Sequence, residues 1–345
     1  MKKSAVFSFI MVCLFFTPGI SHAQSQPRGS KSQGEALEIR LASSMPRNSD
    51  WGRTLDRIAA EWARVTNNEV RVRILHDGVE GGDAKVISSL STNNIQAAMC
   101  TSFGLSGICP AIMTMSVPFM IKNDAELDLA LKEAKPYLEA QVNRTNFTVI
   151  AWSKGGWVNM FSKDPVLVPD DLRRQRIATS PESEDMNMVF KTMGLHLVET
   201  NMTDIGPRLA NNMINAFYQT PVAVAPMSLH KSVKYMLDMP LAPFLGAIVI
   251  NRVTWNKISA DRQRELIRVT QRIADEFDST MPRIAGNAVT MMSRDGLIVN
   301  KPSPAQEELW RTEMNKAISP LLGTTFDREL YQRINATLEK ARSGR

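Results

Sequence analysis

The chain has 345 residues, of which 43% are hydrophobic and 22% are charged, and its formal net charge is +6. These values are ordinary for a globular protein, and the length is sufficient for two domains. Basic and acidic residues are interspersed rather than clustered, which argues against a nucleic-acid-binding surface.

The first 23 residues have the features of a secretory signal peptide. Two lysines follow the initial methionine, an apolar run extends from Ala5 to Phe16, and residues 21–23 offer small side chains for cleavage. The apolar run is too short to span a bilayer comfortably, so cleavage is favoured over the alternative of a membrane anchor. Residues 24–36 are polar and are expected to form a flexible leader. A periplasmic location is therefore predicted.

Alternating polarity, helical spacing and capping residues predict the elements up to residue 152. Strands are predicted at Leu37–Leu41, Val70–Ile74, Ile95–Thr101 and Phe147–Trp152. Helices are predicted from Ser49 or Asp50 to an end at Asn67-Asn68, at Ala84–Leu90 and at Asp124–Val142. The glycine-rich segment 77–83 carries three acids and lacks the Gly-Lys-Ser/Thr ending of a phosphate-binding loop, so it is interpreted as a plain loop.

The stretch from Val149 to Ser180 is predicted to carry three short strands whose ends lie close together. The first ends at Trp152, a turn follows at Gly155-Gly156, and a second strand covers Val158–Ser162. A helical turn begins at Pro169, and a third strand ends at Thr179. Ligands of α/β proteins commonly bind at such strand ends.

The remaining elements alternate in the same way. Strands are predicted at Ile214–Gln219, Val233–Met239 and Leu245–Asn251. Helices are predicted around Met186–Met193, from Thr203 with a break near Gly206-Pro207, from Ser259 or Asp261 to roughly Ile284, at Ser303–Leu322 and at Phe326–Ala341. This alternation predicts an α/β fold with mixed sheets.

Short motifs along the chain resemble the DctP type of periplasmic solute-binding protein of TRAP transporters. The central stretch matches that family's pattern at Trp152, Gly155, Ser162, Lys163, Pro165, Val166, Pro169, Asp171, Leu172 and Ile177. The resemblance covers about Leu37 to Gln271 and implies a two-lobed periplasmic binding protein with a central ligand cleft. Lobe I is assigned to 37–151 and 242–285, and lobe II to 152–241 and 286–345 with the carboxyl-terminal helices.

The resemblance also implies which residues line the cleft. They are Ser43, Ser44, Ser102, Phe103, Phe119, Trp152, Trp157, Ala178, Gln219 and Phe244. Trp157 and Ala178 occupy the places of two family arginines, the second of which clamps the carboxylate of an organic-acid ligand.

The loss of these arginines bears on the ligand. Alanine cannot form the bidentate, charge-assisted bonds of an arginine, and a buried carboxylate without partners is strongly disfavoured. An apolar or amphiphilic ligand is therefore predicted. The alternative is an organic acid held by a relocated arginine, Arg176, which shares the strand face of Ala178.

The resemblance implies a receptor that closes on its ligand and delivers it to a TRAP membrane permease, without a cofactor and without enzymatic activity. Receptors that lack the arginine clamp resemble a subclass associated with a periplasmic tetratricopeptide-repeat protein, which is a second predicted partner. Nucleic acid is not expected as a partner.

The sequence gives little support to catalysis or to metal binding. A secreted hydrolase that uses Ser102 or Cys100 is the remaining enzymatic alternative, but it needs a base within hydrogen-bond reach, and none is evident. No spacing of histidines and cysteines typical of a metal site occurs. Cys100 and Cys109 could form a disulfide in an oxidising compartment or stay as buried thiols, and the sequence leaves both alternatives open.

Overall fold

The computed structural model describes residues 36–181 and 183–344. The predicted signal peptide and nearly all of the predicted leader lie outside these ranges. The described ranges contain the strands β1 (Leu37–Ser43), β2 (Val70–Leu75), β3 (Ala97–Thr101), β4 (Phe147–Ser162), β5 (Arg176–Thr179), β6 (His196–Glu199), β7 (Ala216–Gln219), β8 (Tyr235–Leu237), β9 (Ala242–Asn251) and β10 (Ile298–Asn300).

Helices cover both faces of these strands. The α-helices in the described ranges are α1 (Asp50–Val65), α2 (Asp83–Ser91), α3 (Ser102–Ser106), α4 (Asp124–Val142), α5 (Pro169–Arg173), α6 (Glu184–Thr192), α7 (Ile205–Ala210), α8 (Pro221–Val224), α9 (Arg252–Trp255), α10 (Ala260–Asp278), α11 (Met281–Arg294), α12 (Pro304–Ile318) and α13 (Arg328–Arg342). Short 3-10 helices lie at Pro110–Ser116, Met202–Asp204, Leu229–Ser232 and Ser319–Leu321.

The strands form a mixed sheet in the order β2-β1-β3-β9-β4-β7-β5-β6, and β8 joins it at β4 with β10 beside it. In the first half, β1 is parallel to β2 and β3, whereas β9 is antiparallel to both β3 and β4. In the second half, β5 is parallel to β6 and β7. The strand β4 belongs to both halves, because it pairs with β9 up to Val158 and with β7 from Asn159 onwards.

The predicted turn at Gly155-Gly156 is wrong, because both glycines lie inside β4, which continues without a break from Phe147 to Ser162. The register with β9 shifts between Lys154 and Trp157, as a β-bulge requires. Gly156 has a φ of +91°, a conformation that residues with a side chain rarely adopt. The glycines therefore distort a strand that crosses between the two halves and do not reverse it.

Most other elements lie close to their predicted positions, and α4 has the predicted ends. Ser49 caps α1 by accepting the Gly52 N–H at 3.0 Å. Two predictions about helices are wrong. The predicted break near Gly206-Pro207 does not occur, and both residues lie inside α7. Pro207 lacks a backbone N–H, but it lies in the first turn, where N–H groups have no partner within the helix. The long helix ends at Asp278, and a separate helix, α11, begins at Met281 with a proline in its first turn.

Three clusters of buried hydrophobic residues form the core. The largest packs α4, α12 and α13 together with strands of both halves. A second packs α1 and α10 on the other face of the first half, and a third packs α7 and α11 against β5 and β7. Because side chains alternate along each strand, the two faces of each half belong to different clusters. No helix within the described ranges is both long and apolar enough to cross a membrane.

Candidate functional site

A small cavity lies where the end of β3, the end of β7 and the start of β9 meet, between the two halves of the sheet. Four residues predicted from the sequence line it: Ser102, Phe103, Gln219 and Phe244. Its volume is about 50 Å³, enough for one or two water molecules. A ligand with several carbon atoms therefore needs the lobes or the lining side chains to move apart.

The wall at the end of β3 is built by α3, which carries Ser102 and Phe103. The Thr101 hydroxyl caps this helix by accepting the Gly104 N–H at 3.3 Å and donates its own proton to Asp83 Oδ2 at 2.6 Å. Burial raises the pKa of Asp83, and the hydrogen bond from Thr101 opposes that shift. The hydroxyl therefore ties α3 to the first turn of α2 and fixes the position of this wall.

The wall at the start of β9 depends on a contact between Phe244 and Gly155. A Cβ atom placed on Gly155 would lie 2.4 Å from Phe244 Cδ1 and 3.2 Å from the Phe244 carbonyl oxygen. The Phe244 ring also lies 6.5 Å from the Phe103 ring, centroid to centroid. Only glycine leaves room for the Phe244 ring, so the bulge in β4 and the shape of the cavity are linked.

The wall in the second half combines Tyr218 and Gln219 at the end of β7 with Met186 on α6. The Tyr218 hydroxyl lies 3.2 Å from Thr179 Oγ1, and its ring packs edge-on against Phe190 at 5.2 Å. Burial raises the pKa of Tyr218, so the phenol stays neutral at physiological pH. This wall therefore offers a neutral hydroxyl and an amide beside apolar groups.

Among the residues that the structure describes, no side chain with a formal charge lines the cavity. Its polar groups are the hydroxyls of Ser102, Ser116 and Tyr218 and the amide of Gln219. Aromatic, aliphatic and methionine side chains supply the rest. Such a surface can bind an apolar body and a few hydrogen-bonding groups.

Several lining residues were not predicted: Ser116, Val158, Met186, Tyr218 and residues 241–243. Val158 lies in the part of β4 that was predicted to follow a turn, and Tyr218 immediately precedes the predicted Gln219. The resemblance named Gln219 on β7 and Phe244 on β9, which both line the cavity, but it gave no signal for Ser116 on the 3-10 helix. These segments come together only through the sheet order.

Both predicted tryptophans fall outside the lining of the cavity and bond to acids of α4. Trp152 is buried, and its Nε1 donates to Glu139 Oε1 at 2.8 Å. Trp157 is half-buried, and its Nε1 donates to Asp124 Oδ1 at 2.9 Å. Their indoles therefore join β4 to α4.

Ser43, Ser44 and Phe119 also fall outside the lining. Ser43 is buried at the end of β1 and accepts the Met45 N–H at 3.1 Å, whereas Ser44 is exposed. Phe119 is half-buried with a φ of +62°, which is unusual for a bulky residue. Its N–H donates to the carbonyl oxygen of Leu241, a residue that lines the cavity, at 2.8 Å. Phe119 thus supports the wall from behind.

Ala178 lies in the third core cluster, on the face of β5 opposite to the cavity, and is 4% exposed. The adjacent residue, Thr179, faces the Tyr218 hydroxyl. Arg176, the candidate replacement for the family arginine, is exposed and donates to the carbonyl oxygens of Asn212 at 2.7 Å and Met213 at 3.2 Å. Its guanidinium is therefore occupied at the far end of the strand.

Cys100 and Cys109 are buried free thiols in the structure and do not form the disulfide that the sequence left open. Burial raises the pKa of both thiols, that of Cys109 to about 11. Cys109 Sγ lies 3.5 Å from Gln141 Oε1. Neither thiol is activated as a nucleophile, because the thiolate is the reactive form.

Among the residues that the structure describes, the lining of the cavity contains no histidine, cysteine or carboxylate. Within the described ranges there is no cluster of three or more residues suited to hold a metal ion. The described histidines lie elsewhere: His76 bonds to Asp56 at 2.8 Å, His230 bonds to Asp295 at 3.0 Å, and His196 is exposed on β6. None of these described histidines lines the cavity with Ser102.

The sequence pattern of one family, described as bacterial extracellular solute-binding protein, family 7 (DctP), matches residues 41–322. The chain belongs to this family. The DctP-type resemblance predicted from the motifs is confirmed, and so is the prediction that the protein is a solute-binding receptor rather than an enzyme.

A curated relative is the 2,3-diketo-L-gulonate-binding periplasmic protein of Escherichia coli K12, which is 24% identical over 212 residues. The match spans 60% of this chain and 63% of that protein, so less than two thirds of the relative's length is covered.

Solved structures of TRAP periplasmic solute-binding proteins are similar over nearly their whole length. One from Ralstonia eutropha H16 with bound (S)-2-acetolactate has a TM-score of 0.81 at 16% identity, with 88% of this chain and 99% of that chain covered. One from Sulfurospirillum deleyianum with bound succinate has a TM-score of 0.79 at 17% identity, with 87% and 99% covered. An extracytoplasmic solute receptor of Bordetella pertussis binding pyroglutamic acid has a TM-score of 0.80 at 14% identity, with 88% and 100% covered. These likenesses confirm the two-lobed α/β fold of periplasmic binding proteins.

Proposed function

We propose that the protein is a periplasmic receptor of a TRAP-type transporter that binds a small, uncharged ligand with a mostly apolar body between its lobes. The observation that supports this most directly is the lining of the cavity, in which the described residues supply hydroxyl, amide and apolar groups and no charge. Ligands of periplasmic receptors bind where both lobes contribute, and this cavity takes Phe103 and Phe244 from one half and Met186 and Gln219 from the other.

An anionic ligand would be poorly stabilised here. Moving a carboxylate out of water costs several kcal/mol unless a cation and further hydrogen bonds compensate. Two serines, one phenol and one amide supply hydrogen bonds but no positive charge. A neutral amphiphile avoids this cost, because its apolar part gains from burial at about 25 cal/mol per Å².

The second candidate function is a receptor for organic acids, which the similar solved structures favour because acetolactate, pyroglutamic acid and succinate are bound in them. In this chain such a ligand needs a cation from outside the present lining. Arg176 would have to leave two carbonyl oxygens and reach the opposite face of β5. This geometry favours the uncharged ligand.

The decisive experiment is mass spectrometry of small molecules extracted from natively purified protein, followed by titration calorimetry. Matched pairs of compounds with the same carbon skeleton, one carrying a carboxylate and the other a neutral group, separate the two candidates. The uncharged member of each pair is expected to bind more tightly at pH 7. Tight binding of the carboxylates, or a stoichiometric organic acid in the extract, would overturn the proposal.

Ligand capture is proposed to proceed by closure of lobe I (37–151 and 242–285) on lobe II (152–241 and 286–345). The small cavity volume supports this, because a ligand cannot enter without an open form. Small-angle scattering should then show a smaller radius of gyration with saturating ligand than without it. An unchanged radius would contradict the closure.

Delivery to a membrane permease is proposed from the family to which the chain belongs, and association with a periplasmic tetratricopeptide-repeat protein is proposed by analogy from the missing arginine clamp. Affinity purification of the protein from its native cells, with and without cross-linking, tests both partners. Recovery of permease subunits without any repeat protein would leave the transporter role and exclude the second partner.

A further inference from the structure

The helix α12 packs on the second half of the protein. Its Trp310 is buried, and the indole Nε1 donates to the Leu167 carbonyl oxygen, just before α5, at 2.9 Å. Glu313 accepts from the Arg173 guanidinium of α5 at 2.5 Å. The same helix also contacts α6. These contacts attach α12 to elements of the second half.

The last helix, α13, is attached to the first half at both of its ends. At its start, Asp327 accepts the Tyr137 hydroxyl of α4 at 2.8 Å. At its other end, the Arg342 guanidinium donates to Glu126 of α4 at 2.7 Å. The order of these partners shows that α13 runs antiparallel to α4. Consecutive helices of the chain are thus held by opposite halves.

The crossing between the halves falls within residues 319–326. The helix α12 ends at Ile318, and the Asp327 N–H already donates to Thr114 Oγ1 of the first half at 3.0 Å. When the lobes close as proposed above, α12 therefore travels with lobe II and α13 with lobe I. This step rests on the proposed closure, and it divides the segment 286–345 that was assigned as a whole to lobe II.

The Arg311 side chain of α12 reaches the first half. Its guanidinium carbon lies 6.0 Å from the centre of the Phe119 ring, within the range of a cation–π contact. Arg311 also pairs with Glu307, one turn earlier in α12, at 3.1 Å. The guanidinium is therefore held by its own helix while it lies over a ring of the other lobe.

Phe119 connects this contact to the cavity. A positive φ of +62° is strained for a bulky residue and persists only where the surroundings hold it. The Phe119 N–H donates to the carbonyl oxygen of Leu241, which lines the cavity, at 2.8 Å. The cavity wall and the contact with Arg311 therefore share one residue.

We propose that Arg311 acts as a latch of the closed form. Its guanidinium stacks on Phe119 when the lobes close and leaves the ring when they open, and residues 319–326 take up the movement between α12 and α13. A cation–π contact at a partly exposed site changes a ratio of populations about two- to five-fold. Such a latch favours closure without preventing the reopening that release of a ligand requires.

Arg333 on α13 offers a matched control, because it has the same two kinds of partner. Its guanidinium carbon lies 5.5 Å from the centre of the Tyr137 ring, and its Nε donates to Glu133 at 2.9 Å. Both partners belong to α4, so these contacts are made within lobe I and are the same in the open and closed forms. Arg333→Gln should therefore leave closure unchanged, whereas Arg311→Gln should alter it.

Spin labels at exposed positions, read by double electron–electron resonance without added ligand, test the movement. Ala336→Cys on α13 paired with Lys132→Cys on α4 should give one narrow distance distribution, and paired with Lys191→Cys on α6 a broad one. The native cysteines are buried and stay unlabelled. A broad distribution within lobe I would overturn the latch and leave the proposed closure intact. Narrow distributions for both pairs would overturn the latch and the closure together.

The latch itself is tested in the protein labelled on α13 and α6. Arg311→Gln is expected to lower the ratio of closed to open distances about two- to five-fold, the closed distance being that of the described structure. Arg333→Gln is expected to leave this ratio unchanged, and thermal unfolding checks that both variants fold. An unchanged ratio in Arg311→Gln, or an equal change in both variants, would overturn the latch.

Discussion

Asp278, the last residue of α10, should make the stability of the protein depend on pH. Its carboxylate accepts the Ser153 hydroxyl at 2.5 Å and the Lys154 N–H at 3.0 Å, directly before the bulge in β4. Burial raises its pKa from 3.8 to about 6, and the hydrogen bonds from Ser153 and Lys154 oppose this shift. The carboxyl group is therefore protonated more readily in the folded protein than in the unfolded chain.

The sign of the pH dependence of stability follows from where the proton is bound. Between pH 4 and pH 6 the folded protein holds a proton on Asp278 that the unfolded chain has released, so stability falls as the pH rises through this window. At about 1.4 kcal/mol per pH unit, a shift from 3.8 to about 6 corresponds to about 3 kcal/mol between the two ends of the window. Asp278→Asn keeps an acceptor oxygen and removes the titration.

Urea unfolding of both proteins at pH 4, 5, 6 and 7 measures this effect, because every other titrating group is common to the two. Relative to the parent, Asp278→Asn should gain about 3 kcal/mol in free energy of unfolding between pH 4 and pH 7. Ser153→Ala serves as a control, since it removes a donor that favours the carboxylate and should extend the loss of stability to higher pH. A difference between Asp278→Asn and parent that is constant with pH would refute the reasoning.

Three further predictions concern the cavity wall and the core. Gly155→Ala should weaken ligand binding and lower the free energy of unfolding by about 1–3 kcal/mol, because the new Cβ displaces Phe244. Its control, Gly286→Ala, lies in a helix with open space and should raise the free energy of unfolding by about 0.5–1 kcal/mol. Calorimetry and urea unfolding compare the two variants, and equal effects would contradict the packing argument. Ala178→Arg should lower the free energy of unfolding by about 3–5 kcal/mol, because it places an unpaired charge in the third core cluster. It should not confer affinity for succinate. A stable variant that binds succinate would instead place this position in the cavity. The two buried cysteines should react with Ellman's reagent only after unfolding, and an oxidised pair in the purified protein would contradict the free thiols.

Much of the fold could be predicted from sequence because local patterns agree with the final packing. The helix α4 has an Asn123 cap and an apolar face, and its ends matched the prediction. The Gly155-Gly156 pair misled because two glycines indicate a turn when only neighbouring residues are considered. The partner strand β9 lies almost ninety residues further along the chain, and pairing with it keeps β4 extended through the bulge.

The site was harder to predict because it depends on side-chain direction at single positions. Ala178 and Thr179 are neighbours on β5, yet one faces the third core cluster and the other faces Tyr218. A family motif places a strand but does not show which face a replaced residue now presents. Trp152 and Trp157 illustrate the same limit, because the motif did not show that their indole N–H groups bond to Glu139 and Asp124 of α4.

The central position of β9 has a consequence for how the chain is made. This strand separates β3 from β4 in the sheet, but it is synthesised about 140 residues after β3 ends. Until it emerges, β3 and the first part of β4 present unpaired edges to any other chain nearby. The first half of the sheet therefore cannot be completed before residue 251 has been synthesised.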